Sequence, residues 1–320
     1  MDAPRLPTRV IDVDPSLPNP RLVTKHEERD DWEPYTALSY CWGKSQATMT
    51  MPDNLSRHTT DGFQFSALPR AIQDAITVAR GLSIRYLWVD ALCILQGSSP
   101  EATADWLAES SMMSDIYGGA TLVIIAGDSQ DCNMPFLYQR ELVTTSRPSR
   151  DGVLDREIPS AHRTTVPKGY VDLKANTWPT RAWTLQESAL SRRALIYTKD
   201  QVYWRCAFGL VGYDAYLHVL PRIDSLPPVV HERDYWPSVV TEYSTRFMTN
   251  PADKLPALAG LARLHCESND VTYAAGLCLD TFHSGLLWRT EYSEKRHPSR
   301  PSHWRAPSWS WVSIDGPVDY

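Results

Sequence analysis

The sequence predicts an α/β fold: a parallel-sheet core with an added hairpin and a mainly helical C-terminal part. Three apolar runs carry the prediction, Thr36 to Tyr40, Ile84 to Val89 and Thr121 to Ala126, each of strand length. Between them apolar residues recur at three- and four-residue spacing, the period of a helix with one buried face. A β-α-β-α-β order of this kind calls for right-handed crossovers and parallel neighbouring strands.

Taken in order, Thr36 to Tyr40 is the first short strand of this unit. Leu68, Ile72, Ala75, Ile76 and Ala79 then mark an amphipathic helix with Pro69 at its first turn and Gly81 at its end. Ile84 to Val89 is apolar except for Arg85, as a strand covered on both faces should be. Asp105, or a residue just before it, is expected to cap a second helix carrying Trp106, Met113, Ile116 and Tyr117, before the strand at 121–126. Residues 141–170 have no sustained period and read as a surface excursion. Thr184 to Leu190 suits a short helix, and Ala194 to Cys206 a hairpin. Beyond the proline-rich stretch 221–228, Val239, Val240, Tyr243 and Phe247 lie on one helix face. Further helices are expected at Lys254 to Leu264 and Tyr273 to Trp288, around a polar turn at Glu267 to Asp270. The alternation in Ala306 to Ile314 suits a terminal strand. The expected division is a core at 1–210 and a helical part at 211–320 packed on it.

Composition narrows the partners. With 320 residues, 42% of them hydrophobic and 22% charged, the chain can bury a large core. A net charge of −6 without basic runs leaves no electrostatic footprint for nucleic acid. No apolar run approaches the roughly eighteen residues of a membrane span, and the N-terminus lacks the apolar stretch of a signal peptide, so a cytoplasmic home is expected. The six cysteines form no CxxC pair and read as reduced thiols. No metal is expected, since no histidine stands at ligand spacing from a cysteine pair. No cofactor is expected either, because Gly118-Gly119 and Gly209-Leu-Val-Gly212 both lack a phosphate-loop spacing. The expected partner is an apolar small molecule, with a homo-oligomer left open.

Tyr35-Thr-Ala-Leu-Ser-Tyr-Cys-Trp-Gly43, Ile84-Arg-Tyr-Leu-Trp-Val-Asp90 with Cys93-Ile-Leu-Gln96, and Arg181-Ala-Trp-Thr-Leu-Gln-Glu187 together resemble the fungal heterokaryon-incompatibility (HET) domain. Leu6 to Asp12, Asp105 to Met112, Asp253 to Gly260 and Ala306 to Trp311 extend the likeness over most of the chain. The resemblance implies a core similar to Toll/interleukin-1-receptor (TIR) folds, some of which cleave NAD, and a role in triggering cell death. Other members resemble proteins of fungal natural-product pathways. Many members continue beyond the last motif, so a trimmed, stand-alone member is expected. The chain departs from the family pattern at Gly97, Ser188 and Cys278, positions this reading places near the cleft.

Asp90 is the sharpest candidate for chemistry, because it follows an apolar strand, and strand ends are where open α/β sheets bind ligands. Its alternative is a satisfied structural acid. Glu187 stands beside Trp183 and Gln186, where an apolar wall would raise its pKa for acid–base work. The competing reading is an ion pair with Arg181, Arg192 or Arg193. Glu109 lies one helical turn from Trp106 and Met113 and either points to the same cleft or is a capping acid. Arg181 is a candidate clamp for a carboxylate or phosphate, or a surface partner of Asp172. Tyr40, Trp42, Trp88, Trp183 and Trp204 offer aromatic area for a pocket wall or for the core. Cys93, with apolar neighbours, is a wall residue or an inert thiol, and Ser39 and Ser110 lack a nucleophile elbow.

Two functions fit. One is a cofactor-independent enzyme of fungal specialised metabolism, a cyclase or pericyclase shaping an apolar terpenoid or polyketide intermediate. The other is a cell-death effector acting by self-association or NAD cleavage. The family resemblance favours the second, whereas the three departures and the missing extension and signalling module favour the first, which is the expectation.

Overall fold

The computed structural model describes residues 5–24, 32–43, 48–139, 178–199, 201–206, 209–212, 217–218, 235–291 and 297–320. The expected excursion at 141–170 and the stretch 221–228 lie outside the described residues. Among the described residues nine strands form one sheet: β1 (Arg9–Asp12), β2 (Arg21–Thr24), β3 (Tyr35–Ser39), β4 (Tyr86–Trp88), β5 (Leu122–Ala126), β6 (Arg193–Tyr197), β7 (Val202–Cys206), β8 (Gly209–Gly212) and β9 (Leu217–His218). Their order is β2-β1-β4-β3-β5-β6-β7-β8-β9. β4, β3, β5 and β6 run parallel, while both flanks are antiparallel.

The α/β class with a parallel-sheet core holds, and antiparallel strands extend the sheet at both flanks. β1 and β2 are joined by the short segment 13–20, too short for a parallel crossover, so they pair as antiparallel neighbours. The central strands behave as their composition requires. Every residue of β3 and β5 is buried, because helices cover the sheet. The expected hairpin at 194–206 is β6–β7, and β8 and β9 carry the sheet past residue 210.

The helices are α1 (Leu55–Thr60), α2 (Arg70–Gly81), α3 (Asp90–Cys93), α4 (Pro100–Gly119), α5 (Ala182–Leu190), α6 (Tyr235–Ser244), α7 (Ala259–Asn269) and α8 (Phe282–Gly285). α2 buries Ala71, Ile72, Ala75, Ile76 and Ala79 completely. α4 begins earlier than the sequence reading placed it. Ser99 caps it by accepting from the Ala102 N–H, and Pro100 occupies the first turn, where it forfeits no hydrogen bond. Asp105 therefore lies inside the helix and is free to pair with Arg9.

The C-terminal part departs further from expectation. α6 stops at Ser244 and leaves Phe247 outside it, 60% exposed. Two 3-10 turns, Pro251–Lys254 and Pro256–Leu258, precede α7, which runs on through the anticipated turn to a left-handed cap at Asp270. Tyr273 to Trp288 is not one helix. Ala275 and Gly276, both at positive φ, turn the chain between β10 (Tyr273–Ala274) and β11 (Leu277–Cys278), and only Phe282–Gly285 is helical. The segment 306–314 is not a strand either. Trp311 and Val312 are both buried because a 3-10 turn at Trp311–Ser313 breaks the alternation, and the terminal strand is β13 (Val318–Asp319), paired with β12 (Arg289–Thr290).

Two hydrophobic cores result. One lies about the sheet, and the other gathers Trp236, Val240, Leu261 and Trp311. α5 joins them. Its Ala182 and Leu185 belong to the second core, and Trp183 touches both. Beside them the Gln186 side-chain carbonyl accepts from the Gly260 N–H at 2.8 Å. No helix among the described residues is long and apolar enough to cross a membrane.

At Gly260 a Cβ would come within 2.3 Å of the Ser114 Cβ and 2.9 Å of the Gln186 carbonyl oxygen. Gly260→Ala should therefore lower stability by about 1–3 kcal/mol, as overpacking does. Urea denaturation checks this, and an unchanged midpoint would refute the close packing of α4, α5 and α7.

Candidate functional site

The parallel strands bring their C-terminal ends to one edge. β4 and β5 flank β3, so the chain leaves β3 toward one side and crosses to the other. The gap between β3 and β5 is thus a topological switch point, the place where open α/β sheets form crevices. Ser39 ends β3 and is followed by Tyr40, Cys41 and Trp42. Asp90 follows β4 as the first residue of α3, and Gly127 follows β5.

A 3-10 turn at Trp178–Thr180 and the start of α5 lie over this edge. The Trp178 indole donates to the Ser39 hydroxyl at 2.7 Å, and its backbone N–H reaches the Gly127 carbonyl. The Ser39 hydroxyl in turn hydrogen-bonds the Glu187 carboxyl. α5 is pinned at its start by main-chain bonds from Phe247 to Thr180 and from Ala182 to Phe247. That pairing explains why Phe247 sits outside α6.

Arg181 is a cation that acts on two acids. Its guanidinium donates to the Tyr40 carbonyl and bonds the Cys41 thiol, and its charge acts on both Asp90 and Glu187. Asp90 accepts from the Ala91 N–H at 2.7 Å, the Trp42 indole at 2.9 Å and the Tyr40 hydroxyl, yet keeps part of its surface exposed. Burial pushes both carboxyls up. For Glu187, only 6% exposed, it outweighs Ser39, Arg181 and Arg246 and carries the group to about 7. For Asp90 it outweighs Arg181 and the three donors, and the direction is again upward. Arg181 balances one negative charge, so the second carboxyl holds or releases a proton near neutrality. Such a pair can donate a proton, accept one, or face a developing cation.

Of the residues expected from sequence, Asp90, Arg181, Glu187, Tyr40 and Trp42 come together here. The others do not join them. Glu109 faces Arg9, 3.9 Å away, in a cluster with Asp105 behind β1. Cys93 is fully buried, its thiol pushed up to about 12 by burial, which suits an inert core group. Trp88 is wholly buried, edge-on to Tyr117. Gln186 is committed to Gly260, and the Trp183 indole to Asp253 at 3.2 Å. Trp204 is 37% exposed on β7. Of the partners considered for Arg181, Asp172 lies outside the described residues.

The reading from sequence missed Cys41, Trp178 and Arg246, and it weighed Ser39 only as a nucleophile. Ser39 and Cys41 were findable as immediate neighbours of a strand end, whereas Trp178 and Arg246 arrive from distant segments with no local signal. Ser188 bonds Arg205, Cys278 lies in the second core, and Gly97 occupies an exposed turn at φ 114°. Among the described residues no group of three or more His, Cys, Asp or Glu is placed to hold a metal ion.

Residues 35–187 match the family model described as Heterokaryon incompatibility protein (HET). The matched span opens on the first residue of β3 and closes on Glu187. No curated protein matches the chain, and no solved structure does.

The raised Glu187 pKa has a consequence for stability. A carboxyl near 7 in the folded chain and near its ordinary 4.5 when unfolded favours folding below 4.5, and that advantage is lost as pH rises through 7. Glu187→Gln keeps the acceptor for Ser39 and cannot ionise. It should gain up to roughly 3 kcal/mol relative to the parent between pH 4.5 and 8. Thermal melts of both proteins at the two pH values test this, and a constant difference would contradict the assigned shift.

Proposed function

We propose that the chain, whose residues 35–187 match the heterokaryon-incompatibility family model, is an effector whose Asp90, Arg181 and Glu187 carry acid–base chemistry on a small polar molecule at the strand edge. The observation that carries the reading is the pair of buried carboxyls around one guanidinium at the β3/β5 switch point. The reaction it suits best is cleavage of an N-glycosidic bond in a nucleotide of the NAD class. As the bond to the nicotinamide nitrogen breaks, positive charge develops on the ribose, and the Asp90 carboxylate is the anion to face it. Water then adds to the ribosyl cation, and Glu187 takes its proton. The likeness of the family's fold to TIR domains supports the choice of substrate. In this reading the core, residues 1–210, holds the chemistry, and 211–320 fixes α5. The setting is cytoplasmic, with self-association open.

Cyclisation of an apolar intermediate is the second reading. It needs an aromatic wall, and of the five aromatic residues proposed for one, Trp88 and Tyr40 are buried in the core at 0% and 3% exposure. Trp42, half-buried, is what it retains at this edge, since the Trp183 indole turns to Asp253.

Incubating the purified chain with NAD should release nicotinamide, with a rate that rises as pH passes through about 7 and Glu187 ionises. Asp90→Asn and Glu187→Gln should each lower that rate by about 100-fold or more while leaving the fold intact. Absence of nicotinamide at every pH, or full activity in both variants, would refute the proposal.

A further inference from the structure

Away from the strand edge, α7 and β11 bring two thiols together. Cys266, near the end of α7, and Cys278, on β11, share a hydrogen bond, and both are reduced. We propose that Cys266 and Cys278 are an oxidation site, which peroxide closes to a disulfide linking α7 to the β10–β11 hairpin.

The two sulfurs are not equivalent. Cys278 is 2% exposed, whereas Cys266 is half-buried and lines a groove of about 420 Å³ with Ala259, Ala262, Arg263 and Tyr273. A peroxide entering the groove meets Cys266 first. The shared hydrogen bond sets the same order. The Cys278 S–H donates to the Cys266 sulfur, which favours the Cys266 thiolate and disfavours that of Cys278. Burial raises both thiols, and Glu267 and Asp280 add to the rise at Cys266, so the reduced pair is slow to react rather than hyperreactive.

The chemistry balances as follows. The Cys266 thiolate attacks one oxygen of hydrogen peroxide, the O–O bond breaks, and hydroxide leaves, giving a sulfenic acid at Cys266. Hydroxide takes up the proton that the thiol lost. Cys278 sulfur then attacks the Cys266 sulfur, its own proton leaves with the hydroxyl as a second water, and the S–S bond forms. Two thiols are oxidised by two electrons and one peroxide is reduced to two waters. The cross-link encloses the turn at Asp270 and the strand β10, both already ordered. β10 pairs Tyr273 with Cys278.

The test oxidises the full chain with hydrogen peroxide, alkylates the remaining thiols and maps the six cysteines by peptide mass. The expected product is a Cys266–Cys278 linked peptide pair lighter by two hydrogens, reversed by dithiothreitol. In Cys278→Ser the disulfide should vanish and dimedone should trap a sulfenic acid at Cys266. Cys266→Ser, changed at the more exposed position, should leave Cys278 unoxidised at doses that cross-link the parent. Recovery of both cysteines alkylated in the parent while other cysteines oxidise would overturn the proposal. So would equal oxidation of Cys278 in the Cys266→Ser protein.

Discussion

Two carboxyl groups and one guanidinium share a site from which most water has been removed, and the surrounding structure is arranged to make that tolerable. Burial alone would keep both acids neutral. Arg181 offsets part of that cost, while Ser39 and the donors on Asp90 offset more. Arg181 also bonds the carbonyl of Tyr40, so the residue that balances the charge fixes the segment after β3. Removing it would push both acids further toward the neutral form.

The C-terminal part gives this site its geometry. Glu187 sits on α5, and α5 is held from the side opposite the sheet. Gln186 bonds the Gly260 N–H, Trp183 reaches Asp253, and the Phe247 main chain pairs with the turn before the helix. Adjacent residues on one short helix thus have divided duties. Gln186 anchors the helix to α7, and Glu187 turns to Ser39 at the strand edge. The second core holds the first core's acid in place.

The central sheet was legible in the sequence because β3, β5 and α2 are buried in patterns that their residue types enforce. Asp90 and Glu187 were legible for a related reason, since an acid beside apolar residues near a strand end has few ways to be satisfied. Glu109 met much the same description, and only the position of Arg9, a hundred residues earlier in the chain, separates it from them. Trp88 and Trp42 look alike in sequence but part in space. Trp88 lies within β4, where both faces are covered, and Trp42 lies past the end of β3, where its indole meets Asp90. The C-terminal part was misread where positive-φ residues intervene. Ala275 gives no composition signal for its turn, so the apolar spacing on either side imitates one long helix.

The protonation of Glu187 tests the account most directly. In chain labelled with 13C-glutamate, the side-chain carboxyl signal that disappears in Glu187→Gln should titrate with a midpoint near 7. It should move upward in Arg181→Met, where the balancing charge is gone. A midpoint in the ordinary range between about 4 and 5, unmoved by loss of Arg181, would contradict the paired-carboxyl site.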